Sequence, residues 1–135
     1  VDDLTLMLPD DGCLIDALTS FMRCNRPELD DILGSACEVY RTEPDGIDRP
    51  EAVPALRAYC YFAVRWSRKP LAEIGIHIGV DHSTINRTSR SIGVLRKQNT
   101  ILADDLDLVA IRIGERVLLN KRIAQLKAAY AASAV

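Results

Sequence analysis

The chain has 135 residues, 27% charged and 48% apolar, an ordinary make-up for one globular domain with at most an arm. No apolar run reaches the roughly 18 residues that suggest a membrane span, and the opening Val1-Asp2-Asp3 lacks the basic start of a signal peptide, so none is expected. The formal net charge of −2 argues against a general polyanion binder, but the charge is uneven: residues 1–50 hold 12 acids and 4 bases, residues 51–99 hold 3 and 8, and residues 100–135 hold 4 and 5.

Residues 1–12 read as a loose acidic lead ending in Pro9-Asp10-Asp11-Gly12. The spacing of Leu14, Ala17, Leu18, Phe21 and Met22 predicts a short helix over 13–25. Pro27 ends it and suits the start of a second helix, carried by Leu29, Ile32, Leu33, Ala36, Cys37 and Val39 to about Tyr40. Residues 41–54 hold three prolines and a glycine and read as a loop. A third helix is expected over 54–67. Leu56, Tyr59, Cys60, Ala63, Val64 and Trp66 make it apolar on more than one face, which marks it as the central element. Tyr59, Tyr61, Phe62 and Trp66 fit a buried core better than a base-stacking platform for single strands. Arg65, Arg68 and Lys69 suit the end of that helix, where cations are favoured, and are also candidate phosphate contacts.

From Leu71 to Ile92 the pattern is two helices around a tight turn. Pro70 suits the first turn of the first helix, and Leu71, Ile74 and Ile78 repeat at helical spacing. Gly79 stands where a helix must end, and Asp81 can cap the next. On that second helix Ile85, Ser89 and Ile92 share a face with Leu95 or Arg96. Ser83, Asn86, Arg87, Arg90 and Lys97 share the opposite one, which is polar and basic. Such a pair is a helix-turn-helix. Gln98-Asn99-Thr100 reads as a break, and a final long helix is expected from about Asp104. Its Leu106, Val109, Ala110, Ile113 and Val117 pack back on the domain. Leu119, Ile123, Leu126 and Tyr130 follow at spacings of 4, 3 and 4, a short heptad seam. A homodimer through this helix is therefore an expectation. Alternating runs are few, and Asp45-Gly46 lies in the proline loop rather than between strands, so the expected class is all-α.

Leu71-Ala72-Glu73-Ile74-Gly75, Gly79 and Asp81-His82-Ser83-Thr84-Ile85 together resemble the signature of domain IV, the DNA-binding domain of the bacterial replication initiator DnaA. Arg90 matches a further arginine of that signature. The resemblance covers about 32–113. It implies a Trp-repressor-like helix-turn-helix that reads a short DnaA box, with the residues at the start of the second helix, here His82, Ser83 and Thr84, facing the major groove. It also divides the chain into an acidic N-terminal extension (1–31), the domain (32–113) and a C-terminal helical tail (114–135). The chain departs from the family pattern in four places. The turn after Gly79 is one residue shorter and lacks an arginine. Ser83 stands for a threonine, and Arg87 for a second histidine. The loop at 41–54 is acidic where the family has a basic minor-groove loop, leaving Arg41, Arg49 and Arg57 as stand-ins.

Cys13, Cys24, Cys37 and Cys60 show no Cys-x-x-Cys spacing and read as free thiols, not zinc ligands. There is no nucleophile–base constellation and no phosphate-binding loop, so neither catalysis, metal, cofactor nor nucleotide is expected. The expected function is sequence-specific binding of double-stranded DNA by a cytoplasmic, nucleoid-associated regulator of transcription or replication. His82, Ser83, Thr84, Asn86 and Arg87 are the candidate base readers, and Arg65, Arg68, Lys69, Arg90 and Lys97 the candidate phosphate contacts. The alternative is a protein-interaction module that kept this fold without the DNA.

Overall fold

The computed structural model describes residues 14–133, and all regular structure among them is helical. In order these are α1 (Leu14–Cys24), α2 (Leu29–Tyr40), two 3-10 turns (Pro44–Gly46 and Pro50–Ala52), α3 (Val53–Phe62), which runs on as a π turn (Ala63–Ser67), α4 (Leu71–Ile78), α5 (His82–Leu95) and α6 (Thr100–Ser133). The acidic lead at 1–12 and Cys13 lie outside the described residues. Among the described residues no helix is long and apolar enough to cross a membrane.

One core gathers these helices, running from Leu14 to Val117. Ile15, Leu18 and Met22 bury α1 in it, so the division drawn at residue 31 does not coincide with a break in packing. Asp31 opens α2 by accepting from the Glu28 N–H at 3.1 Å, satisfying a donor the helix leaves free. The loop at 41–54 is more regular than its composition suggests. Pro44 and Pro50 each start a 3-10 turn, because a proline at the first helical position has no N–H to lose.

α3 is the centre. Tyr59, Tyr61, Phe62 and Trp66 are all buried, which makes them core and not a stacking surface. The π turn carries Trp66 toward α1, where its Nε1–H donates to Thr19 Oγ1 at 2.9 Å. Tyr59 ties α3 to its neighbours through His77 of α4. Tyr59 Oη lies 2.8 Å from His77 Nδ1, and His77 Nε2 lies 2.8 Å from Asp30 Oδ1. Asp30 can only accept, so in the neutral ring Nε2 carries the proton and Nδ1 accepts from the phenol. Burial, with lesser contributions from Cys60 and Asp30, pushes the Tyr59 phenol above its ordinary range. It therefore remains a donor.

Two element starts differ from expectation. Pro70 caps α4 from outside the helix rather than sitting in its first turn; its carbonyl accepts from the Ile74 N–H at 3.1 Å. α6 begins at Thr100, not Asp104, because Asn99 is a cap and not merely a break: its Oδ1 accepts from the Leu102 N–H at 3.1 Å. α6 then packs on α2 and α1 through Leu106, Val109, Ala110, Ile113 and Val117, as expected. From Leu119 onward its residues are exposed.

The α4–α5 connection is set by two glycines. Gly79 adopts φ 73°, the left-handed conformation that glycine takes without steric penalty. Val80 then folds back so that its N–H donates to the Gly75 carbonyl at 2.9 Å. A Cβ at Gly75 would lie 2.3 Å from the Val80 carbonyl oxygen, a contact with backbone that no rotamer change relieves. Gly75→Ala is therefore expected to destabilise the fold by about 1–3 kcal/mol, the usual cost of overpacking, outweighing alanine's gain of about 1 kcal/mol in helix propensity. Urea denaturation measures this; a variant as stable as the parent would contradict the geometry.

Candidate nucleic-acid interface

α5 packs chiefly against α3, with Ile85 and Ile92 buried. At about 100° per residue, the side directly away from this seam carries Ser83, Arg87, Arg90 and Val94, all exposed. No acidic residue occurs from His82 to Ala103. The exposed ridge is therefore uniformly polar or cationic apart from Val94.

The five candidate base readers are not equivalent. His82 is the first residue of α5 and is exposed, its Nδ1 3.7 Å from Asp81 Oδ1. Ser83 belongs to the cap: its N–H donates to Asp81 Oδ2 at 3.2 Å, and its hydroxyl donates to the same oxygen. A hydroxyl so engaged can still accept a hydrogen bond but has no proton to offer. Thr84 is half-buried and accepts from Arg87 Nη2 at 3.4 Å. Asn86 is half-buried and Arg87 exposed.

The candidate phosphate contacts fall on separate sides. Arg65 and Lys97 share a shallow depression along one flank of α5 with Tyr61, Ser89 and Arg96. There Arg65 is paired with Asp16 at 2.9 Å and lies 5.8 Å from the centre of the Tyr61 ring, while Lys97 is exposed in the turn after α5. Arg90 is on the ridge itself. Arg68 lines a different depression with Arg23, Arg65 and Trp66, and Lys69 lies 3.8 Å from Glu73. Arg57 has a larger place than its reading as a minor-groove stand-in. From α3 it lines the opposite flank of α5 with Arg87, Ser91 and Leu95. The signal was present, since a lone exposed cation on an otherwise apolar helix marks the edge of its packed face, but which neighbour it borders is a tertiary fact.

Among the described residues no group of three or more His, Cys, Asp or Glu side chains is placed to hold a metal ion. Cys37 and Cys60 are buried and Cys24 is exposed; burial pushes the Cys60 thiol up to about 12, which suppresses its thiolate.

The bonds from Ser83, with a smaller contribution from His82, hold the Asp81 carboxyl below its ordinary range. A carboxyl depressed by folding adds stability that is full above its unfolded value and is lost as pH falls through its folded value. Asp81→Asn keeps a cap acceptor but removes the titration. The stability gap between parent and Asp81→Asn is expected to be widest near neutral pH and to close as pH drops below the carboxylate range, read by denaturation across a pH series. A gap independent of pH would contradict the assignment.

No family model, curated protein or solved structure matches this chain.

Proposed function

We propose that α4 and α5 are a DNA-binding helix-turn-helix and that α5 enters the major groove of a duplex. The observation that carries this reading is the acid-free ridge of α5 with an exposed cation on each flank, Arg57 on one side and Lys97 on the other. An α-helix fits the major groove, which is about 12 Å wide. Cations on both sides of the inserted helix are what the two phosphate backbones flanking that groove require. The N-terminal half of α5 supplies the base contacts, with His82 and Arg87 the best exposed readers; Arg87 suits the acceptor edge of guanine. Arg57, Arg90 and Lys97 take phosphates. The biological role that follows is regulation of transcription or replication at a short site, of the kind that the resemblance to the initiator domain implies.

The protein-docking alternative has one observation in its favour. Ile76 is 81% exposed beside Val80, Gly79 and His82 in a shallow depression over the turn. A titration against labelled duplexes decides between the two. Duplex binding should weaken with salt at a slope set by about 0.9 per phosphate neutralised. Arg57→Ala or Lys97→Ala should lower that slope by about one each, weakening all duplexes alike. Arg87→Ala or His82→Ala should cost on the order of 1–3 kcal/mol at the preferred site only. If both leave sequence preference unchanged at moderate salt, α5 is not the reader and the docking alternative moves ahead.

A further inference from the structure

α6 carries an apolar stripe on the side turned away from its packed face. Ile101 is 74% exposed, Leu108 50%, Leu119 59% and Tyr130 77%. Helical geometry of about 100° and 1.5 Å per residue places Ile101, Leu108, Leu119, Leu126 and Tyr130 within one narrow strip roughly 45 Å long. Arg112 and Glu115 occupy its middle, paired with each other at 3.0 Å, and Arg112 also reaches Glu38 of α2 at 3.3 Å. Leu106, Val109, Ile113 and Val117, which face the core, lie about 130° around the helix, so the stripe is open to a second molecule.

The order of residues along the stripe is self-complementary when read backwards. Laid antiparallel against a second copy with Arg112 facing Glu115, Leu108 meets Leu119 and Ile101 meets Leu126. On the flank, Asp104 meets Arg122. Each pair occurs twice by the two-fold symmetry of an isologous contact. The parallel alternative sets Arg112 and Glu115 each against its own copy, like-charge contacts that oppose pairing.

We infer that the chain is a homodimer through antiparallel pairing of α6 over about residues 100–127, with the two-fold axis passing between Arg112 and Glu115. This does not depend on what α5 binds. The Asp104–Arg122 contact gives the test, because both residues are exposed and neither forms an ion pair among the described residues. The full chain should sediment as a dimer at micromolar concentration. Asp104→Arg places two arginines together and Arg122→Asp two aspartates, so each variant alone should dimerise roughly tenfold more weakly. An equimolar mixture of the two restores opposite charges at both contacts and should recover the parent affinity as a heterodimer. Misfolding of either variant cannot produce that recovery. A parent chain that stays monomeric at 100 micromolar (on the order of the highest concentration at which such an interface would matter), or two variants that dimerise as well alone as mixed, would overturn the inference.

Discussion

Everything about the exposed helix depends on one close approach. The Val80 carbonyl lies over Gly75 at a distance that excludes any side chain there, and Gly79 supplies the left-handed residue that turns the chain back. With that turn fixed, the three residues from Gly79 to Asp81 suffice to join α4 to α5. α5 then leaves the turn already capped by Asp81, with Ile85 and Ile92 seated in the core. The ridge of Ser83, Arg87 and Arg90 is left outside because its opposite face is the one that packs. The support beneath is equally specific. α4 is held by the Tyr59–His77–Asp30 chain of hydrogen bonds, so the pair of helices rests on α3 and α2 together and not on apolar packing alone.

The uneven charge of the chain takes on a different meaning in three dimensions. Several acids of the first third tie elements together instead of forming an acidic surface. Asp16 holds Arg65, Asp30 holds His77, and Glu38 receives both Arg112 and Arg116 from α6. Asp31 closes the start of α2 and also accepts from Asn120. Exposed pairs of this kind each contribute little to stability, about 0–1 kcal/mol. Their consequence is spatial: they tie α1 to the turn after α3, α2 to α4, and α2 to α6.

Periodicity was enough for the helices. Leu14 to Met22, Leu29 to Tyr40 and the Leu71–Ile78 repeat each announced a helix whose bounds the structure reproduces within a residue or two. Single positions were less legible, and for identifiable reasons. In the sequence Asn99 reads as a break, because the side chain that favours turns is the same one that caps helices; the sequence pattern therefore starts α6 four residues after Thr100. Gly75 carried no local signal, since its need to be glycine comes from a carbonyl five residues on. The π turn after Phe62 and its delivery of Trp66 to Thr19 have no period to reveal them. Of the site, the ridge was readable as a face, but the engagement of the Ser83 hydroxyl and the bordering of α5 by Arg57 required the packed structure. Spacing in the sequence reveals only the last part of the stripe on α6, because Arg112 and Glu115 interrupt its apolar run.

The central claim is that α5 reads a DNA sequence. Selection of bound duplexes from a random pool by the intact chain tests it most directly, because no site need be assumed. At moderate salt the account predicts enrichment of one short motif, lost when the selection is repeated with Arg87→Ala. A folded protein that leaves the pool's sequence composition unchanged would contradict it.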